Sequence, residues 1–188
     1  MRREVLASEV KFRGRRIGVR VDRIRLADGG EGVREVVESP DSVAVIAQDD
    51  LGRVLLVRQY RHAVGQELWE IPAGGIDLGE TPLAAARREL AEEGGVGGGR
   101  FNLLFDFFLS PGIASERMSV FWAQGLVPCY AKPDEDERLE VAWLPLAEAA
   151  AMCRDGRIAD AKTVAAVLAL VSSPAAGRAG PAGRGQGR

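Results

Sequence analysis

Gly74-Gly75-Ile76-Asp77-Leu78-Gly79-Glu80-Thr81-Pro82-Leu83-Ala84-Ala85-Ala86-Arg87-Arg88-Glu89-Leu90-Ala91-Glu92-Glu93-Gly94-Gly95-Val96 is the stretch that decides how the chain is read. Thr81 can cap a helix, Pro82 suits its first position, and the paired glycines Gly94 and Gly95 end it. At about 100° per residue, Glu92 and Glu93 fall within roughly 60° of Glu89, so three carboxylates share one face. Leu83, Ala86 and Leu90 line a neighbouring stripe that can pack into a core. Like charges at this spacing destabilise a free helix, so the arrangement calls for a compensating cation. Every ligand on offer is a hard oxygen. The ion that fits is Mg²⁺, with Mn²⁺ as the substitute.

On either side of this helix the chain reads as many short strands. Residues 10–12, 17–26 and 33–38 alternate apolar and polar, broken by Gly14 and by the turn Asp28-Gly29-Gly30. Residues 42–47 and 53–59 form two apolar runs joined across Asp49-Asp50-Leu51-Gly52, and 67–71 leads into the glycine loop. Beyond the helix, 94–99 reads as a flexible turn, and 101–109, 118–124 and 139–144 as strands. The alanine- and leucine-rich segments 146–154 and 161–171 read as helices, and 172–188 as a disordered Gly/Pro/Ala/Arg tail. Strands surrounding one helix, with more helices at the end, make an α+β pattern. The expected division is an N-terminal β region (1–41), a main domain (42–171) and the tail (172–188).

Composition narrows the function classes. The 188 residues suffice for one well-buried domain, and 46% hydrophobic with 28% charged residues is an ordinary globular mix. A net charge of −2 argues against nucleic acid or an acidic membrane as the main partner. No apolar run approaches membrane-spanning length, and Met1-Arg2-Arg3-Glu4-Val5 lacks the core of a signal peptide. Two cysteines in unrelated contexts, Cys129 and Cys153, suit free thiols in a cytoplasmic protein. A single histidine, His62, excludes a multi-histidine metal site and makes a Ser-His hydrolase a poor fit.

The decisive stretch resembles the signature of the Nudix hydrolases: Gly, five residues, Glu, seven residues, then Arg-Glu-apolar-x-Glu-Glu-x-Gly-apolar. Gly74, Glu80, Arg88, Glu89, Leu90, Glu92, Glu93, Gly95 and Val96 fill every defined position. A chance match in a chain of this length is on the order of 10⁻⁸ at average residue frequencies. The resemblance implies an α/β/α sandwich with mixed sheets, preceded here by the antiparallel N-terminal region. Other segments resemble the ADP-ribose pyrophosphatase branch: Glu70-Ile71-Pro72-Ala73-Gly74-Gly75, Ser110-Pro111-Gly112 with Ser115-Glu116, Arg34-Glu35-Val36-Val37-Glu38, and Val57-Arg58-Gln59-Tyr60-Arg61.

That resemblance assigns roles. Glu89, Glu92 and Glu93 with the main-chain carbonyl of Ala73 are the expected metal ligands, Glu93 being catalytically essential. Arg88 is expected to hold Glu92, and Glu80 to brace either the glycine loop or a water-bridged metal. Arg34 and Arg61 are candidates for phosphate, because guanidinium forks suit phosphate oxygens. Glu116 is expected beside the substrate and near the metals, and Arg16 and Ile17 near the nucleobase. The base that deprotonates the attacking water is expected in the loop Lys132-Pro133-Asp134-Glu135-Asp136-Glu137, with Glu137 first and Glu135 second.

The implied reaction is Mg²⁺-dependent hydrolysis of ADP-ribose to AMP and ribose 5-phosphate, by a homodimer in which residues 1–40 reach the neighbouring subunit. The alternatives are a broader nucleoside-diphosphate-sugar pyrophosphatase and a non-catalytic ligand-binding regulator. The regulator predicts losses among the helix acids, and none is missing.

Overall fold

The computed structural model describes residues 4–131 and 139–173. Residues 132–138, with Glu135 and Glu137, and the sequence from 174 onward lie outside the described residues.

Three strands, β1 (Val5–Arg13), β2 (Gly18–Arg25) and β3 (Glu31–Glu38), form an antiparallel sheet of their own in the order β1-β2-β3. β1 begins five residues earlier than its sequence pattern suggests, because cross-strand pairing from Val5↔Ile24 to Arg13↔Gly18 carries it without regular alternation. This sheet is thin: Val5, Val10, Phe12 and Val33 all stand exposed. Its clip to the rest of the molecule is local. Val37 N donates to Ile113 O at 2.7 Å, and Ser115 N donates back to Val37 O at 3.0 Å.

The main body is a seven-stranded mixed sheet. Its strands are β4 (Ser42–Gln48), β5 (Arg53–Arg61), β6 (Gln66–Glu70), β7 (Ala73–Gly75), β8 (Val96–Phe108), β9 (Arg117–Pro128) and β10 (Glu140–Pro145). The order is β10-β5-β4-β9-β8, and only β4 and β9 run parallel. β4 and β5 pair at the single step Gln48↔Val54 and then diverge, so that β7 pairs with β4 and β6 with β5. The functional cleft opens at this fork.

Strict alternation places a core on each face of the sheet. Val43, Val45 and Ala47 of β4 join Leu55, Val57 and Phe121 against Ala85, Ala86 and Leu90 of helix α1 (Pro82–Gly94). Ala44, Ile46, Val54, Leu56 and Val120 face the other way, onto α2 (Leu146–Asp155) and α3 (Ala161–Val171). Every residue of β4 is buried, as expected of a strand covered on both faces. The result is the α/β/α sandwich that the sequence implies.

One expectation needs correction. The glycine-rich segment 94–99 is not a free turn, since β8 starts at Val96 and runs straight through Gly97-Gly98-Gly99. Gly98 and Gly99 adopt φ of +71° and +61°, and a Cβ on Gly99 would strike the carbonyls of Gln124 and Gly125. The glycines serve an irregular strand rather than a turn.

Candidate active site

The acidic helix is built as its sequence dictates. Thr81 Oγ1 accepts from Ala84 N at 3.2 Å, Pro82 takes the first position, and Gly95 closes the C-terminus at φ +64°. With the apolar stripe turned into the core, Glu89 and Glu93 are drawn into the wall of the fork, only 9% and 6% exposed. Glu93 Oε2 accepts from Ala73 N at 3.0 Å, which ties the helix to the strand whose carbonyl is an expected ligand. Gly74 lies against Glu89 so closely that a Cβ built there would overlap the carboxylate. A Cβ on the neighbouring Gly75, which is not part of the signature, would meet open space.

Arg88 fastens this loop to the helix with all five of its donors. Nε and Nη2 reach the two oxygens of Glu80 at 3.2 and 3.0 Å, and Nη2 also reaches Gly75 O at 2.9 Å. Nη1 donates to Glu89 at 2.7 Å and to Glu92 at 3.1 Å. The Arg88 hydrogen bonds hold the Glu80 carboxyl below its ordinary range, and those carboxylates in turn raise the Arg88 pKa above its own. Glu80 thus does brace the glycine loop, aided by a bond from Asp77 N at 3.1 Å.

Opposite the helix stands a second wall. Arg61, at the end of β5, grips Glu70 at both oxygens, Nε to Oε1 and Nη2 to Oε2, each at 2.7 Å. Burial pushes the Glu70 carboxyl up, but the Arg61 hydrogen bonds and the Lys162 charge outweigh it and leave the group lowered. Glu70 is 1% exposed, and a buried charge stripped of its partner costs about 3–5 kcal/mol. At the rim of the fork, Glu116 accepts from Ser42 Oγ at 2.6 Å and from Ser39 Oγ at 3.3 Å. Arg16 and Ile17, from the β1–β2 turn, complete the lining.

The open cleft has a volume of about 660 Å³, in the range of a nucleotide-sized ligand. Six carboxylates line it (Asp77, Glu89, Glu92, Glu93, Glu116, Asp160) against four cations, Arg16, Arg61, Arg88 and Lys162. Among the described residues no three of the acids already converge as a closed coordination shell. The donor set nevertheless suits a divalent ion: hard oxygens, net negative, with Gly74 leaving room for the Glu89 carboxylate.

The structure therefore brings Ala73, Glu89, Glu92, Glu93, Arg61, Glu116, Arg16 and Ile17 to one cleft. Arg34 is not in it: it stands on exposed β3 with Nη1 bonded to Val33 O at 2.7 Å. Glu135 and Glu137 lie outside the described residues. Sequence reasoning missed Ser39, Ser42, Asp160 and Lys162. The cap Asp160-Ala161-Lys162-Thr163 was legible as a helix start, but nothing local says that it faces a site 92 residues away in sequence.

Comparison with known proteins agrees with this geometry. The model of the NUDIX domain matches residues 38–167. The chain belongs to the NUDIX family. It is 39% identical over 171 residues to an ADP-ribose pyrophosphatase of Mycobacterium tuberculosis, covering 89% of this chain and 82% of that one. An ADP-ribose pyrophosphatase of Bacillus subtilis is 36% identical over 169 residues, covering 89% and 91%. Among solved structures, an ADP compounds hydrolase superposes with a TM-score of 0.82 at 27% identity, covering 91% of this chain and 93% of the other. This Nudix hydrolase is thus similar over most of its length to ADP-ribose pyrophosphatases in sequence and to an ADP compounds hydrolase in fold.

Proposed function

We propose that this Nudix hydrolase splits the pyrophosphate bond of ADP-ribose with water, giving AMP and ribose 5-phosphate, and that Mg²⁺ is its cofactor. The observation that carries the reading is the two-walled cleft, with the Glu89/Glu92/Glu93 face on one side and Arg61 on the other. A pyrophosphate is a dianion, and its hydrolysis needs charge neutralisation and an oriented water. Glu89, Glu92, Glu93 and the Ala73 carbonyl would hold the ion, which when bound supplies Lewis-acid stabilisation of the phosphoryl oxygens. Arg61 binds phosphate oxygens through the donor capacity that Glu70 leaves it. Glu116, fixed by Ser39 and Ser42, offers carboxylate oxygens to substrate hydroxyls. The close likeness to two ADP-ribose pyrophosphatases over most of the chain supports the choice of substrate. A panel of ADP-ribose, GDP-mannose and other nucleotide sugars, with product identification, tests it: ADP-ribose should give the highest kcat/KM. A clear preference for another nucleotide sugar would overturn the choice.

In the same reading Glu137 takes the proton of the attacking water as the new P–O bond forms and the bridging P–O bond breaks. Glu137→Gln should lower kcat by about 10²–10⁴-fold while leaving activation by Mg²⁺ nearly intact. If Glu135→Gln gives that loss and Glu137→Gln does not, the base is the acid two residues earlier.

The N-terminal sheet gives the enzyme its partner, a second copy of the chain. A three-stranded sheet with Val5, Val10, Phe12 and Val33 exposed is marginal unless a face is covered, and a twofold partner is the commonest solution. Arg34, remote from its own cleft, is then free to serve the neighbouring one. A cytoplasmic setting accords with the free thiols Cys129 and Cys153. Sedimentation at micromolar concentration should show a dimer, and a 20.1 kDa species would refute it. A variant starting at Asp41 that stayed monomeric and fully active would remove the N-terminal region from substrate binding.

A further inference from the structure

The first turn of α3 belongs to the cleft as much as to the core. Asp160 caps the helix, accepting from Thr163 N at 3.0 Å and from the Thr163 hydroxyl. Thr163 Oγ1 in turn accepts from Ile71 N at 2.9 Å, two residues before Ala73. Between them stands Lys162, a lysine only 7% exposed, which nonetheless lines the cleft. Its Nζ donates to Asp160 Oδ1 at 2.9 Å and to Glu70 Oε2, the same oxygen that receives Arg61 Nη2.

The charge balance of this group matters more than its packing. Arg61 and Glu70 alone form a bidentate, self-neutralised pair, which presents little positive potential to an anion. Lys162 adds a second cation to the same carboxylate oxygen, so Glu70 no longer neutralises Arg61 alone. Asp160 pairs with Lys162 at 2.9 Å and lines the same cleft, so the four groups together are neutral, and what Lys162 changes is how much of the Glu70 charge falls on Arg61. Burying a lysine has a desolvation cost that a purely apolar contact would avoid.

We propose that Lys162 is a positioning residue for diphosphate binding: by sharing Glu70 with Arg61, it keeps the Arg61 guanidinium fixed in the cleft wall with its charge available to the substrate. This rests on the reading of Arg61 as a phosphate contact. The same contacts would also staple α3 to the strand before the metal loop, so stability alone does not separate the two roles.

Kinetics and binding do. Lys162→Met should raise KM for ADP-ribose about tenfold, the size of one weakened charged contact, with a smaller change in kcat and an unchanged Mg²⁺ requirement. Lys162→Arg, which restores the charge, should recover most of the affinity, whereas Lys162→Gln should not. Calorimetric binding of inorganic pyrophosphate in the presence of Mg²⁺ should weaken in parallel, and this readout needs no turnover. A melting temperature that falls in Lys162→Met while KM and pyrophosphate affinity stay at wild-type values would overturn the proposal and leave a structural staple. Should Lys162→Met not fold, the Lys162→Gln and Lys162→Arg pair decides by the same two measurements: equal affinities overturn the proposal. A wild-type enzyme that leaves ADP-ribose intact would overturn the substrate reading instead, and pyrophosphate affinity across the variants would still decide the part played by Lys162.

Discussion

Glu93→Gln should fold normally and lose at least about 10²-fold in kcat, more than the 10–100-fold typical of groups one shell removed from a metal. The substitution keeps size and shape, and a carboxamide oxygen can still accept the 3.0 Å bond from Ala73 N that ties helix to strand. What it removes is one negative charge from a site where six carboxylates meet four cations. An isosteric change that keeps the shape of the side chain and weakens the hold on a divalent ion should therefore appear in kcat and in the metal concentration needed for activity. Thermal melting checks the first half of the expectation and steady-state kinetics the second. An unchanged rate would make the acidic helix a structural element.

Gly74→Ala should be nearly as damaging, for a steric reason. A methyl group at that position would overlap the Glu89 carboxylate, closest at Oε1, the oxygen that Arg88 holds at 2.7 Å. Either the carboxylate leaves its place or the glycine loop moves off the helix, and each displaces expected metal ligands. Overpacking of this kind costs about 1–3 kcal/mol in stability, and the loss of ligand geometry should cost at least about 10²-fold in kcat. Gly75→Ala is the matched comparison, since its Cβ meets open space, and it should lose far less. Equal losses at the two positions would mean that backbone freedom, and not the fit of Glu89, explains the first glycine.

What could be read in advance follows the range of the interactions. The acidic helix was legible to its caps, because Thr81, Pro82 and Gly95 act within a few residues of themselves. The central strand was legible as buried because an unbroken apolar run such as 43–47 suits only a strand covered on both faces. Gly97-Gly98-Gly99 misled, since glycines signal loops on average, and only pairing with β9 reveals a strand that needs positive φ. The second wall was invisible for another reason. Glu70 and Lys162 lie 92 positions apart, and Ser42 and Glu116 lie 74 apart, so no local pattern couples them. Arg34 shows the opposite limit: its residue type suits phosphate, yet its strand lies outside its own cleft.

On the proposal made above, the Glu89/Glu92/Glu93 face and the Arg61 wall together form a metal-dependent pyrophosphatase site for ADP-ribose. Mass-spectrometric analysis of ADP-ribose incubated with the purified protein tests it most directly. With Mg²⁺, AMP and ribose 5-phosphate should appear in equal amounts; with excess EDTA neither should form, and added Mg²⁺ or Mn²⁺ should restore both. Full turnover in EDTA, or intact ADP-ribose in the presence of Mg²⁺, would rule out a metal-dependent ADP-ribose pyrophosphatase.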